Sequence, residues 1–218
     1  MPLYRLDPSD TRFPDPREAL TEPNGLLAIG GDLSPVRLLE GYRHGIFPWY
    51  SPDDPILWWS PDPRTVLFPG ELKIHRSLRK TLKRAPFVIR VNTDFAGVME
   101  GCAAPRPQQQ GTWITSEMKQ AYLRLHSMGY GRSVECWQDG RLVGGLYGVK
   151  LGRVFFGESM FSRVSDASKV ALVALCQGAI GFTPAVIDCQ FSTSHLESLG
   201  ARSIPRDDFL ELLRTHAV

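Results

Sequence analysis

The chain has no run of apolar residues approaching the roughly 20 needed to cross a bilayer, so a membrane partner is not expected. Met1 to Asp7 lack the charged-then-apolar order of a secretory signal, and a cytoplasmic location is the expectation. Cysteine is scarce. Cys102, Cys136, Cys176 and Cys189 form no C-x-x-C pair, and none has a histidine at zinc-ligand spacing. They read as buried thiols, with neither a disulfide framework nor a metal site. A dominant sign of charge is also missing. Lys and Arg number 25 against 23 Asp and Glu, for a formal net charge of +2. Global charge therefore does not announce a nucleic-acid binder, and any such contact must come from a local patch. No G-x-x-x-x-G-K-[ST] phosphate loop and no G-x-S-x-G nucleophile elbow occurs.

What is present is a globular composition, 218 residues of which 43% are hydrophobic, enough for one large core with a small satellite domain. Residues 1–62 stand apart by their Pro, Gly and Trp content and read as a small N-terminal domain; residues 63–218 form the larger one. In the first, Ser34 caps a helix that begins at Pro35, shows Leu38, Leu39 and Tyr42 on one face, and closes at Gly45. In the second, a short strand at 66–68 precedes a basic helix over 74–84, a strand over 87–91, a short helix capped by Thr93 or Asp94, and a polar loop over 103–111. An amphipathic helix over 116–128 follows, apolar at Met118, Tyr122, Leu125 and Met128. Strands over 133–138 and 142–150 are joined by Asp139-Gly140, a strong hairpin-turn signal. The series continues with a strand at 153–161, a helix at 167–179, a strand at 185–191, a short helix at 195–199 and a final helix at 207–213. A helix between two strands implies a parallel crossover. The fold class expected is α+β, a mixed sheet flanked by helices, in the order of a GNAT-like acyltransferase domain.

Four constellations carry candidate chemistry. In Gly157-Glu158-Ser159-Met160-Phe161-Ser162, strand alternation puts Phe156, Glu158 and Met160 on one face. A carboxylate between apolar neighbours needs a partner, because burying it alone costs several kcal/mol; a salt-bridged surface Glu is the plainer reading. In Val186-Ile187-Asp188-Cys189-Gln190-Phe191, the same alternation puts Asp188 and Gln190 about 6–7 Å apart on one face. Such a pair suits the orienting of a primary amine, and a polar strand end also explains it. Seven cations lie between Lys73 and Arg90 with no acid among them, and Arg76, Lys80, Lys83 and Arg84 share one helical face, with Arg79 beside them. That face repels itself unless an anion covers it, so it reads as a phosphate-backbone contact or else a solvated helix face. Lastly, Ile46 to Tyr50, Trp58-Trp59 and Thr112 to Thr115 place aromatics in loops, where they line ligand pockets or simply pack between domains. A glycine cluster, Gly140, Gly144, Gly145 and Gly148 after Arg141, only half matches a diphosphate-binding loop.

Seven ordered segments together resemble the leucyl/phenylalanyl-tRNA–protein transferase family: Glu22 to Leu27, Gly30 to Leu33, Gly45 to Trp49, Trp58 to Arg64, Gly111 to Thr115, Gly157 to Ser162 and Ile187 to Gln190. The resemblance implies an aminoacyltransferase that takes Leu or Phe, and Met less well, from aminoacyl-tRNA. It implies transfer to a protein with N-terminal Arg or Lys, which marks that protein for degradation, by a monomer without cofactor. It implies catalytic positions at Asp188, Gln190 and Glu158. It implies a donor side-chain pocket walled by Trp49, Trp113, Leu146, Phe155 and Ile187, and tRNA contacts at Arg76, Arg79, Lys80, Lys83 and Arg84. The rival enzyme reading is a GNAT-type N-acetyltransferase using acyl-CoA.

Overall fold

A computed structural model describes residues 3–105 and 112–217. Gly111 and most of the glutamine-containing loop lie outside the described residues.

The N-terminal region builds a small sheet from β1 (Tyr4–Leu6), β2 (Leu26–Gly30), β3 (Phe47–Pro48) and β4 (Leu57–Trp59), ordered β1-β2-β4-β3. Between β2 and β3 runs α1 (Pro35–Arg43). The Ser34 hydroxyl accepts from the Arg37 amide, and Pro35 occupies the first turn, where a missing N–H costs nothing. Leu38, Leu39 and Tyr42 are buried, as the sequence predicts.

The larger region is a seven-stranded sheet made by β5 (Arg64–Leu67), β6 (Val88–Val91), β7 (Gly131–Gln138), β8 (Arg141–Leu151), β9 (Val154–Ser162), β10 (Val186–Gln190) and β11 (Arg202–Ile204). Their order is β11-β5-β10-β9-β8-β7-β6, and only β9 and β10 run parallel. Between those two strands lies α5 (Ala167–Cys176), so the expected crossover is present and the sheet is mixed. Asp139 and Gly140 both take positive φ at the β7–β8 turn, the conformation that dipeptide favours.

Helices cover both faces. On one, α5 and α2 (Arg76–Arg84) pack over a core that includes Leu146, Phe155 and Ile187. On the other, α3 (Phe95–Ala103), α4 (Ser116–Ser127) and α7 (Arg206–His216) join α1 around Tyr122, Tyr147, Phe156 and Phe209. This second core continues into Trp58, Leu27 and Leu6 of the small sheet. That continuity brings α1 against the large sheet, and the Tyr42 ring lies 4.8 Å from that of Phe156. Two boundaries differ from expectation. Met128 caps α4 and is exposed rather than part of its apolar face. The last helix ends three residues later than expected, at His216, with Phe209, Leu210 and Leu213 buried against the core.

Candidate active site

The site originates in two irregularities on neighbouring strands. Along β8 and β9 the pairing is regular from Leu151–Val154 to Gly148–Gly157, then resumes at Tyr147–Ser159, leaving Glu158 as an extra residue. Along β10 and β5, Asp188 pairs with Val66 and Gln190 with Thr65, leaving Cys189 extra. Such bulges unpair a residue and redirect the strand. The parallel pairing of β9 with β10 ends at Phe156 and Asp188, immediately before both irregularities. The two strands part there, and a cavity of about 270 Å³ opens between them.

Leu146, Phe155 and Ile187 line this cavity, together with Leu172 and Leu175 of α5. Gly148 makes room for one wall: a Cβ there would lie 2.7 Å from the Phe155 ring and 2.1 Å from the Phe156 carbonyl oxygen. The strand glycines are thus packing features. Gly144 likewise lets Ala167 of α5 approach, its built Cβ falling 2.4 Å from that of Ala167. Trp49 and Trp113, expected as pocket walls, line no part of the cavity. Trp113 packs against the core on the α1–α4 face. Trp49 stands at the strand ends, 42% exposed, with its ring 5.5 Å from Trp59 and 5.4 Å from Phe191. It therefore flanks the segment just after Gln190 rather than the slot.

The polar lining of the cavity is Glu158 and Gln190, with Ser159, Thr193 and His195. The bulge corrects one expectation: Phe156 and Glu158 face the α1–α4 core, whereas Met160 packs on the α5 side. The Tyr42 hydroxyl lies 2.7 Å from Glu158 Oε1 and the Tyr122 hydroxyl 2.7 Å from Oε2, while the two phenol oxygens lie 2.5 Å apart. Desolvation raises the Glu158 carboxyl to about 7, against the pull of the two phenols and with Asp188 adding to the rise. Burial likewise pushes the phenols of Tyr42, Tyr122 and Tyr147 well above their ordinary value. The Tyr147 hydroxyl is buried without a partner among the described residues.

Asp188 and Gln190 do not share a face. Asp188 is fully buried and grips Arg64, with Nε to Oδ1 at 2.8 Å and Nη2 to Oδ2 at 2.7 Å. Arg64 also donates to the Gly45 carbonyl at 2.9 Å, and its guanidinium lies 4.7 Å from the Phe47 ring and 4.6 Å from the Phe209 ring. Gln190 sits at φ 57°, in the left-handed region that costs a non-glycine residue on the order of 1 kcal/mol or more. Its amide N–H donates to Asp188 Oδ1 at 3.0 Å, so the bidentate ion pair fixes the backbone turn that aims Gln190 at the cavity. The Gln190 side-chain amide has no described partner.

Sequence reasoning left out Arg64, Tyr42 and Tyr122. A signal existed: an amphipathic helix that buries a tyrosine must satisfy its hydroxyl, and both helices do so here. Cys102, Cys136 and Cys176 are buried free thiols, and Cys189 is partly buried beside the cavity. On α2, Arg76, Arg79, Lys80, Lys83 and Arg84 are all exposed, and none forms an ion pair with a described residue.

Two family models match the chain. The model of the leucyl/phenylalanyl-tRNA protein transferase covers residues 66–214, and that of its N-terminal domain covers 31–62. This chain belongs to the leucyl/phenylalanyl-tRNA–protein transferase family. The curated transferase of Nitrosospira multiformis is 60% identical over 94% of this chain and 89% of its own length. That of Stutzerimonas stutzeri is 58% identical over 98% and 95%. Among solved structures, a GCN5-related N-acetyltransferase from Kribbella flavida aligns over 74% of this chain and 58% of its own, at 13% identity and a TM-score of 0.38. A transferase of this kind is an aminoacyltransferase, with aminoacyl-tRNA as donor and a protein as acceptor.

Proposed function

We propose that the transferase moves Leu or Phe, and Met less readily, from aminoacyl-tRNA to the N-terminal Arg or Lys of an acceptor protein, whose new N-terminus marks it for degradation. The tRNA-borne donor makes the cytoplasm the place of reaction, with the protein acting as a monomer. The observation that carries this reading is the largely apolar cavity between β9 and β10 whose polar lining includes Glu158 and Gln190.

The donor ester is already activated, so the reaction needs no nucleotide. The acceptor α-amine has a reference pKa near 8, and a neutral fraction is available at neutral pH. Catalysis is then chiefly the positioning of amine against ester carbonyl. The Leu or Phe side chain enters the slot lined by Leu146, Phe155 and Ile187. The Gln190 side-chain amide, without a partner among the described residues, orients the attacking amine. Asp188 acts through its grip on Arg64 and on the Gln190 backbone, which makes it a positioning residue. Glu158 takes the cationic acceptor side chain. A hydrophobic slot separates one methylene by only about 1–3 kcal/mol, which suits tolerance of Leu, Phe and Met. The exposed cations of α2 take the tRNA backbone.

The direct test is transfer of labelled Leu from Leu-tRNA to a protein that begins with Arg, compared with the same protein beginning with Ala. Equal labelling of the two would refute the acceptor assignment. No labelling of either would refute the reading as a whole.

A further inference from the structure

Glu158, Tyr42 and Tyr122 make three mutual contacts: 2.7 Å from Tyr42 to Oε1, 2.7 Å from Tyr122 to Oε2, and 2.5 Å between the phenol oxygens. Each contact is within hydrogen-bond distance, so each requires one proton between its two oxygens. Two neutral phenols supply two protons. Were Glu158 ionised, both would point at the carboxylate, and the third contact would press two lone pairs together at 2.5 Å. A third proton resolves this. With Glu158 as the acid, it donates to one phenol, that phenol donates to the other, and the second phenol returns the bond to the remaining carboxyl oxygen. Every group then donates once and accepts once. Neither phenol can give up its own proton, since burial and the neighbouring carboxyl hold both well above the ordinary phenol value.

We propose that the resting enzyme holds Glu158 as a neutral acid in a closed three-proton ring with Tyr42 and Tyr122, and that a cationic acceptor side chain binds by displacing that proton to solvent. The exchange balances: Glu158–COOH and the bound cation become a carboxylate–cation pair, and one proton leaves. The statement about the acceptor rests on the function proposed above; the statement about the ring does not.

The charged and titratable neighbours agree with it. Arg64 of β5 and Asp188 of β10 act on Glu158 in opposite directions, but they are bound to each other, so their net field is small. Tyr147 of β8 is neutral and brings a hydroxyl without a partner among the described residues. Tyr42 of α1 and Tyr122 of α4 are the ring partners. A neutral acid leaves no unpaired charge in this packed region, which removes the main cost of placing a carboxyl there. A glutamate with an ordinary carboxyl would discriminate cationic N-termini at any pH above about 5. A ring-held acid discriminates them only as far as the cation can expel the proton.

Two measurements test the ring and the exchange separately. The first is the infrared difference between wild type and Glu158→Gln across pH 5 to 9, without substrate. Glutamine supplies one donor and one acceptor, as the neutral acid does, so the variant is expected to fold with an unchanged Tm. The expected spectrum shows a carboxylic-acid C=O stretch at pH 6 that fades with a midpoint of about 7. Absence of that band at pH 6 overturns the ring, whatever the enzyme's substrates are; the wild-type pH series alone shows this even if the variant fails to fold. The second is calorimetry of a short peptide beginning with Arg, run in two buffers of different ionisation enthalpy. The expected release is about half a proton per peptide at pH 7 and none at pH 9, with the peptide Kd rising about tenfold per unit below pH 7. Binding without proton release at pH 7 overturns the exchange. If the peptide does not bind while the infrared band is present, the acceptor assignment fails and the ring stands.

Discussion

Replacing Asp188 by Asn keeps the side chain's shape and removes its charge. In the folded protein Asp188 and Arg64 are both fully buried and meet in two bonds of 2.8 and 2.7 Å. The variant leaves Arg64 enclosed by Phe47 and Phe209 with only neutral acceptors, the Gly45 carbonyl and the new side-chain amide oxygen. It also turns an amide donor toward a guanidinium that can only donate. Removing one partner of a buried ion pair costs about 3–5 kcal/mol. For a chain of this size, about 2–4 °C of Tm accompanies each kcal/mol, so the midpoint should fall on the order of 10 °C. The assay is thermal and urea unfolding followed by Trp fluorescence, with single-turnover Leu transfer measured well below the new midpoint. Transfer should remain depressed there, because the Gln190 N–H bond to Asp188 weakens with the anchor. A double variant, Arg64→Leu with Asp188→Leu, should regain part of the stability but not the transfer, since the stranded charge is gone while the Gln190 turn is still unheld. A loss under about 1 kcal/mol in Asp188→Asn, the range of a solvated pair, would refute the reasoning. A polar strand end, the plainer reading of this segment from sequence, would tolerate the change; a buried ion pair does not.

Reversing the charge of Arg76, Lys80 and Lys83 should raise KM for charged tRNA and flatten the dependence of log K on log salt by roughly 0.7–0.9 for each phosphate no longer neutralised; an unaltered slope would exclude α2 from the interface. Leu175 lines the cavity from α5, so Leu175→Phe should reduce Phe transfer more than Leu transfer, by at least about tenfold. Equal losses for both donors, read from kcat/KM, would place the donor side chain elsewhere.

Much of the fold is legible in the sequence because it is local. Ser34-Pro35, the Asp139-Gly140 turn, and the apolar spacing of α4 and α5 each settle within a dozen residues, and each holds apart from the exposed Met128 at the end of α4. The site is less legible because its decisive contacts are remote. Tyr42 meets Glu158 across 116 positions, and Arg64 meets Asp188 across 124. Simple alternation also fails where it matters most. A bulge at Glu158 sends Met160 to the opposite face, and another at Cys189 separates Asp188 from Gln190. Bulges leave little mark on so short a pattern, since their cause lies in the partner strand. Trp49 and Trp113 line no part of the cavity for the same reason, since Trp49 is held by Trp59 and Phe191 and Trp113 by the core around α4.

The start of α5 decides between an aminoacyl-tRNA enzyme and an acyl-CoA enzyme with the same sheet. A diphosphate bound at a helix start needs free N–H groups and no competing anion. Here the Ala167 N–H is engaged by the Val164 carbonyl at 3.2 Å, and the Ser168 N–H by the Ser162 hydroxyl at 2.9 Å. The residue preceding the helix is Asp166, whose carboxylate is held below its ordinary range, first by Lys169 at 2.9 Å and also by Thr81 of α2. A diphosphate would have to displace both N–H bonds and face that carboxylate. The nearby cation, Lys169, is already paired with it. On the same face, α2 carries five exposed cations with no described partner in an ion pair, a surface suited to a longer polyanion that never enters the sheet. Acetyl-CoA should therefore give no calorimetric saturation up to about 1 mM, the concentration at which even a free energy of about −4 kcal/mol would register. Uncharged tRNA should bind with a steep salt dependence. Saturation by acetyl-CoA in that range would mean that the helix start can rearrange, and the case for a tRNA-borne donor would then lose its electrostatic support.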